Sequence, residues 1–292
     1  MSTSPEFAES KNTYVIDAES AAEMARLLDQ DKLITEAMDG LFSERDDLSG
    51  IYDVLDIACG PGGWVHEVAH SYPEMEVTGI DISARMVEYA RAHAKVRHLD
   101  NAHFRVMNVL KPLDFPDGSF DLVNARAIFT FMPPASWPML VQEALRVLRP
   151  GGVIRLTEVE MGFANTPAFE RYCWTFNRAL QLAGQSFSPN GLHPGITPML
   201  GRFLRDAGCQ HIKKKAHVID FSTGEDAHGG FYQDLRLGFK LGQPFLLKTG
   251  VITQKEVDQL YQQALDEMQS EQFCALWYLL TVWGEKPNKY TS

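Results

Sequence analysis

Basic residues are in short supply in this 292-residue sequence: 27 lysines and arginines stand against 38 aspartates and glutamates, a formal charge of −11. A protein that tracks a phosphate backbone needs a basic face, so the balance argues against a nucleic-acid partner. The one basic run, Lys213-Lys214-Lys215, reads as a solubilising start to an edge strand. There are only 4 cysteines (Cys59, Cys173, Cys209 and Cys274), scattered with no spacing that suggests a disulfide framework or a zinc knuckle. No apolar stretch approaches membrane-spanning length. The opening residues, MSTSPEFAESKN, lack the basic segment and apolar run of a secretory signal. The expectation is a cytoplasmic protein with neither nucleic acid nor membrane among its partners. What is present is ordinary for a globular chain: 45% apolar and 22% charged residues, and length enough for one large domain or a domain with an appendage.

From residue 51 onward short apolar strands alternate with helical patterns. IYDVLDIA, MEVTGIDI, AHFRVM, GSFDLVNARA and GVIRLTEVE read as strands. Between them lie a helix after a glycine turn, SARMVEYARAHAKV with Ser83 as its N-cap, and SWPMLVQEALRVL, stopped by RPGG. That alternation implies a parallel sheet with helices on both faces. Beyond Glu160 the rhythm loosens. An added helix (TPAFERYCWTFNRALQLAG) and a loop precede the helix ITPMLGRFLRDAG and a sixth strand, HIKKKAHVIDFS. A second insert, GEDAHGGFYQDLRLGFKLGQPFLLKTG, comes before a last helix and a last strand. Ahead of the sheet lies the helix SAAEMARLLDQDKLITEAM, with Ser20 and Glu23 spaced as a capping box.

The stretch CGPGGWVHEVAH holds two competing motifs. His66-Glu67-Val68-Ala69-His70 spells a zinc-peptidase signature, which requires both histidines on the helix face turned to the metal. At helical spacing Val65, Val68, Ala69 and Tyr72 form the stripe that packs on the sheet, and both histidines fall more than roughly 100° away from it. They read as two surface histidines, and no metal is expected. The glycine turn has the better context: it follows a strand and opens a helix, where free backbone N–H groups suit a charged or polar ligand. Val65 stands where the third glycine of a dinucleotide fingerprint belongs, which weakens that reading.

Taken together, VLDIACGPGGW, VTGIDIS, NVLKPLDFPDGSFDLV and EALRVLRPGGVIRLTE resemble, in order and spacing over about residues 50–160, the class I S-adenosylmethionine-dependent methyltransferases. The closest flavour is the small-molecule group that includes quinone-biosynthesis enzymes, with a looser similarity to bacterial natural-product methyltransferases. The resemblance implies an α/β fold: a Rossmann-like, doubly wound, seven-stranded sheet whose last strand is antiparallel, with an N-terminal helical cap and helical lid inserts. Three regions follow from it: a cap over 1–45, the cofactor-binding half over 46–160, and a second half over 161–292 with lids at about 161–195 and 224–250.

S-adenosyl-L-methionine is the implied cofactor and S-adenosyl-L-homocysteine the product. By resemblance, Gly60 and Gly62 let the backbone approach the methionine part while Asp56 shapes the turn, and Asp81 takes both ribose hydroxyls. Ile82 and Met86 sandwich the adenine, Asn108 and the Val109 N–H read its amino edge, and the backbone near Ala125 and Arg126 faces the methionine amine. Two positions depart from the family pattern: Ala58 replaces the first glycine, and Asn108 stands where aspartate is commoner. On the cap, Glu23, Arg26 and Gln30 share one helix face. That face is either a solvated stripe or a cover for the cofactor, with Tyr14 and Arg26 near its polar ends.

The acceptor is expected to be a small, apolar or aromatic molecule. The strand-four end reads NARA rather than the Asn/Asp-Pro-Pro-aromatic motif of amino-group methyltransferases, and no acid cluster suggests catalytic magnesium. The inserts bring Phe163, Phe169, Tyr172, Trp174, Phe176, Phe187, Phe231, Tyr232, Phe239 and Phe245 as candidates for a substrate lid. Glu158, at the carboxyl end of strand five, is the first candidate for a base that touches the acceptor, either free or paired with Arg126. His193 and His228 rank below it. A homodimer through the N-terminal helix or the inserts is a further expectation. The rivals are a same-fold lyase or aminopropyl transferase and a non-catalytic cofactor-binding subunit.

Overall fold

Runs of β-branched and aliphatic residues closed by acidic or glycine turns set the strands, and the structure, a computed structural model, describes residues 14–17 and 19–288 of the chain. Residues 1–12, on which the reading of the leader rests, lie outside them. In chain order the elements are α1 (Ala21–Ala37), β1 (Asp53–Ile57), α2 (Gly63–Ser71), β2 (Glu76–Asp81), α3 (Ala84–Val96), β3 (Ala102–Val106), β4 (Phe120–Arg126), α4 (Trp137–Val147) and β5 (Leu148–Val159). There follow β6 (Phe163–Ala164), α5 (Pro167–Leu182), α6 (Thr197–Asp206), β7 (Gln210–Asp220), α7 (His228–Thr249), α8 (Gln254–Met268) and β8 (Ala275–Glu285).

The strands form one sheet in the order β3-β2-β1-β4-β5-β8, with β7 on the far edge of β8. The first five are mutually parallel, and β8 runs antiparallel to both β5 and β7. The sheet thus has the expected seven positions and the expected antiparallel last strand, but eight strands. The extra one, β6, continues β5 along the same edge of β8: the pairing passes from Val159↔Leu279 to Phe163↔Leu276 across an irregular step. Alternation along β1 and β4 feeds two cores. Val54 and Leu122 pack with Val65 and Val68 of α2 and Val87 of α3. Leu55, Ile57, Val123 and Ala125 pack into the larger core, with α4 and α5.

Ser83 caps α3 as its sequence suggests, its side chain accepting from the Met86 N–H. Two expectations need correction. Ser20 makes no side-chain cap bond, because Glu23 is drawn instead to Tyr14 and Arg26; the capping box forms at α8, between Thr253 and Glu256. The second insert is helical as expected, a 22-residue helix, α7, although Gly229, Gly230, Gly238, Gly242 and Pro244 lower its propensity. Packing against α1 supports it, since a Cβ at Gly230 would collide with Leu33.

His66, expected at the surface, is 1% exposed, its Nε2 2.9 Å from the Ala90 carbonyl and its ring against Phe104. Helix α3 covers that flank of α2, so the outward side in a single-helix projection is a second buried interface. Burial pushes its imidazole down to about 4. His70, by contrast, is exposed.

Candidate functional site

The carboxyl ends of β1, β2, β4 and β5 open on a cavity of about 270 Å³, roofed by α1 and α7. Parallel strands leave a crevice there, where the chain switches direction. The turn after β1 supplies its floor: Ala58, Gly60 and Gly62 all take positive φ, +57°, +53° and +84°. Gly62 itself does not line the cavity. Its role is close packing, since a Cβ on it would stand 2.7 Å from the Phe104 ring.

Asp81, at the end of β2, clamps this turn from the side. One carboxylate oxygen accepts the Gly60 N–H at 3.0 Å and the other the Ser83 N–H at 2.9 Å. Burial pushes its pKa upward, against the pull of those donors. Asp56 supports the turn from beneath through a buried polar row across β1, β4 and β5. Asn124 donates to Asp56 at 2.7 Å, Arg155 to Asn124 at 2.7 Å, and Arg155 to Glu44 at 2.6 Å. Burial lifts Asp56 to about 7.

The roof is ionic where it is deepest. Arg26 grips both oxygens of Glu23 at 2.7 and 2.6 Å and reaches Asp234 of α7 at 2.8 Å. Gln30 donates to the other Asp234 oxygen at 2.9 Å, and Tyr14 donates to Glu23 at 2.7 Å. Burial opposes the Arg26 charge, but Glu23 and Asp234 outweigh it and hold the guanidinium above its ordinary range. The expected face of Glu23, Arg26 and Gln30 is therefore not a solvated stripe; it is the seam between cap and lid.

Of the fourteen residues expected to hold the cofactor, Tyr14, Arg26, Gln30, Asp56, Ala58, Gly60, Asp81, Ile82, Met86, Asn108, Val109 and Arg126 line the cavity. Ala125 does not, being buried in the core of β4; Ala127, two residues on and at φ +54°, lines it in its place. Among the insert aromatics only Tyr172, Phe176 and Phe239 reach the cavity, joined by Trp277 of β8. Phe169 and Phe231 are core, while Phe163 and Trp174 are exposed.

The two expected catalytic groups stand off the cavity. Glu158 is 1% exposed and turned under the loop after β4, accepting the Ile128 N–H at 2.9 Å, with its second oxygen unpartnered. Burial raises it to about 8. Nor does it pair with Arg126, which instead meets Asp31 and donates to Thr35 Oγ1 at 3.0 Å. His193 is exposed, 3.8 Å from Glu160, in the loop before α6. His228 Nδ1 donates to the Phe221 carbonyl, 3.0 Å away, and does not line the cavity. Asp31 and Asp234 escaped the sequence reading because their partners lie 95 and 208 residues away along the chain, with no local pattern to mark them.

Residues 54–152 match the family model of a methyltransferase domain. A demethylmenaquinone methyltransferase of Listeria monocytogenes is 32% identical over 193 residues, 61% of this chain and 77% of that protein. A probable methyltransferase of Aspergillus luteorubrus is 31% identical over 58% of this chain; the match spans 63% of that relative's length, less than two thirds. The fold is shared with Haemonchus contortus phosphoethanolamine N-methyltransferase 2, at a TM-score of 0.57 and 15% identity over 92% of this chain and 58% of that one. The chain belongs to the class I S-adenosylmethionine-dependent methyltransferases. The cofactor that comes with that membership is S-adenosylmethionine, and the residues fit it: a carboxylate beside a glycine turn, a methionine at the mouth of α3, and a surplus of acids suited to a sulfonium.

Proposed function

We propose that the protein transfers a methyl group from S-adenosylmethionine to a small apolar or aromatic acceptor. One observation carries this reading. One continuous cavity is lined both by the glycine turn, Asp81 and Asn108 and by Tyr172, Phe176, Phe239 and Trp277. The polar handles of two of these aromatics are used inside the protein: the Tyr172 hydroxyl donates to the Phe239 carbonyl, and the Trp277 indole donates to the Glu160 carbonyl at 2.6 Å. With those handles used, and with the Tyr172 ring stacked on Phe239 at 3.9 Å, this part of the lining is an apolar wall with no hydrogen bond to spare for an acceptor.

When bound, the cofactor supplies a methyl group on a cationic sulfur, which leaves without needing a proton. The protein's share is then alignment and exclusion of water. The roof of α1 and α7 closes the space, and the apolar wall packs against the acceptor. Because Glu158 and His193 do not reach the cavity, alignment rather than a side-chain base is the main device in this reading. S-adenosylhomocysteine should raise the melting temperature, and label from methyl-labelled cofactor should pass to aromatic acceptors. Asp81→Ala should weaken S-adenosylhomocysteine binding by about 1.5–3 kcal/mol, the loss of charge-assisted hydrogen bonding. An unchanged dissociation constant would place the ligand elsewhere.

A further inference from the structure

Arg126 closes β4 and Asp31 lies on α1, and the two form an ion pair in the cavity wall with side chains 10% and 17% exposed. Arg126 also donates to Thr35 Oγ1 at 3.0 Å. The Asp31 carboxylate stands over the start of α2, where a Cβ on Gly63 would be 2.8 Å from its Oδ2. Arg126 is tied neither to Glu158 nor to the roof network of Arg26 and Asp234. Burial and the neighbouring Arg155 lower the Arg126 guanidinium only to about 9, so it is charged at neutral pH. Two opposite charges, from two different elements, thus meet beside the glycine turn with part of their surface in the cavity. That arrangement is the electrostatic complement of a zwitterionic α-amino acid.

We propose that Asp31 and Arg126 together read the amino-acid end of S-adenosylmethionine, Asp31 taking its α-ammonium and Arg126 its carboxylate. The proposal rests on the family's cofactor. One internal ion pair is exchanged for two pairs to the ligand, so no charge is left unmatched. Because Asp31 belongs to the cap helix, the same contact ties ligand binding to the seating of α1.

The test compares S-adenosylhomocysteine with 5′-methylthioadenosine, which keeps the adenosine and thioether but lacks the amino-acid end. Asp31→Asn, and Arg126→Gln as a second variant, should each weaken S-adenosylhomocysteine roughly tenfold or more while leaving methylthioadenosine binding unchanged. Equal losses for both ligands, or no loss for S-adenosylhomocysteine, overturn the proposal. Should neither variant fold, the wild-type protein decides: methylthioadenosine should bind at least about a hundredfold more weakly, and equal affinity overturns it. If neither ligand binds the wild-type protein, the cofactor reading itself falls and takes the proposal with it, an outcome distinct from the others.

Discussion

Glu158 is buried off the cavity and has a structural task. Its carboxylate holds the loop after β4 by accepting the Ile128 N–H, yet burial raises its pKa from 4.5 to about 8. A carboxyl that holds its proton more tightly when folded adds stability at low pH and loses it as pH rises through the folded value. The window therefore runs from about 4.5 to about 8. Glu158→Gln keeps an oxygen for the Ile128 N–H and has no such dependence. Denaturant unfolding at pH 5 and pH 8 should show the wild-type protein losing stability relative to the variant across that interval. Asp56 titrates in the same range but is common to both proteins, so it cancels in the comparison. A constant difference between them would mean that Glu158 is ionised throughout.

Among the elements, α1 and α7 act as one roof because their seam is ionic and sealed. Arg26 is 6% exposed and Glu23 and Asp234 are 0% and 5% exposed, so none of their charges is shared with bulk water. Arg26→Met should cost about 3–5 kcal/mol, since it leaves two buried carboxylates without their cation. Asp234→Asn should cost less, because the amide oxygen still accepts from Arg26 and only the second acceptor, the one that meets Gln30, is lost. Chemical denaturation measures both, and equal small effects would show that the seam admits water. Most elements of the sheet were legible from period and punctuation: the strand of DVLDI, the Ser83 cap and the Pro-Gly-Gly stop each act within a few residues. The helical character of α7 came from the family resemblance and not from local pattern, because four glycines and a proline obscure it and packing on α1 supports it. The burial of His66 was not legible, because it comes from α3 and not from its own helix.

At the scale of the whole molecule, the sheet brings the motif residues of the first half to the same cavity as aromatics from the second half and β8. The first set was readable because each residue lies within a turn of a strand end. The wall was not, since strand and helix twist decide which of ten insert aromatics reach the cavity, and Trp277 lies at neither insert. Trp277→Ala and Phe239→Ala should raise KM for the acceptor while leaving the dissociation constant of S-adenosylhomocysteine within about twofold, as removal of acceptor contacts alone would do. Equal loss of both affinities would mean that the wall packs the cofactor instead. The most direct measurement is a crystal structure with S-adenosylhomocysteine bound. Its ribose should lie on Asp81, its adenine between Ile82 and Met86, its amino-acid end at Asp31 and Arg126, and its sulfur facing Phe239 and Trp277. A ligand found outside this cavity, or one whose sulfur faces away from the aromatic wall, would contradict the assignment of cofactor and acceptor to one continuous site.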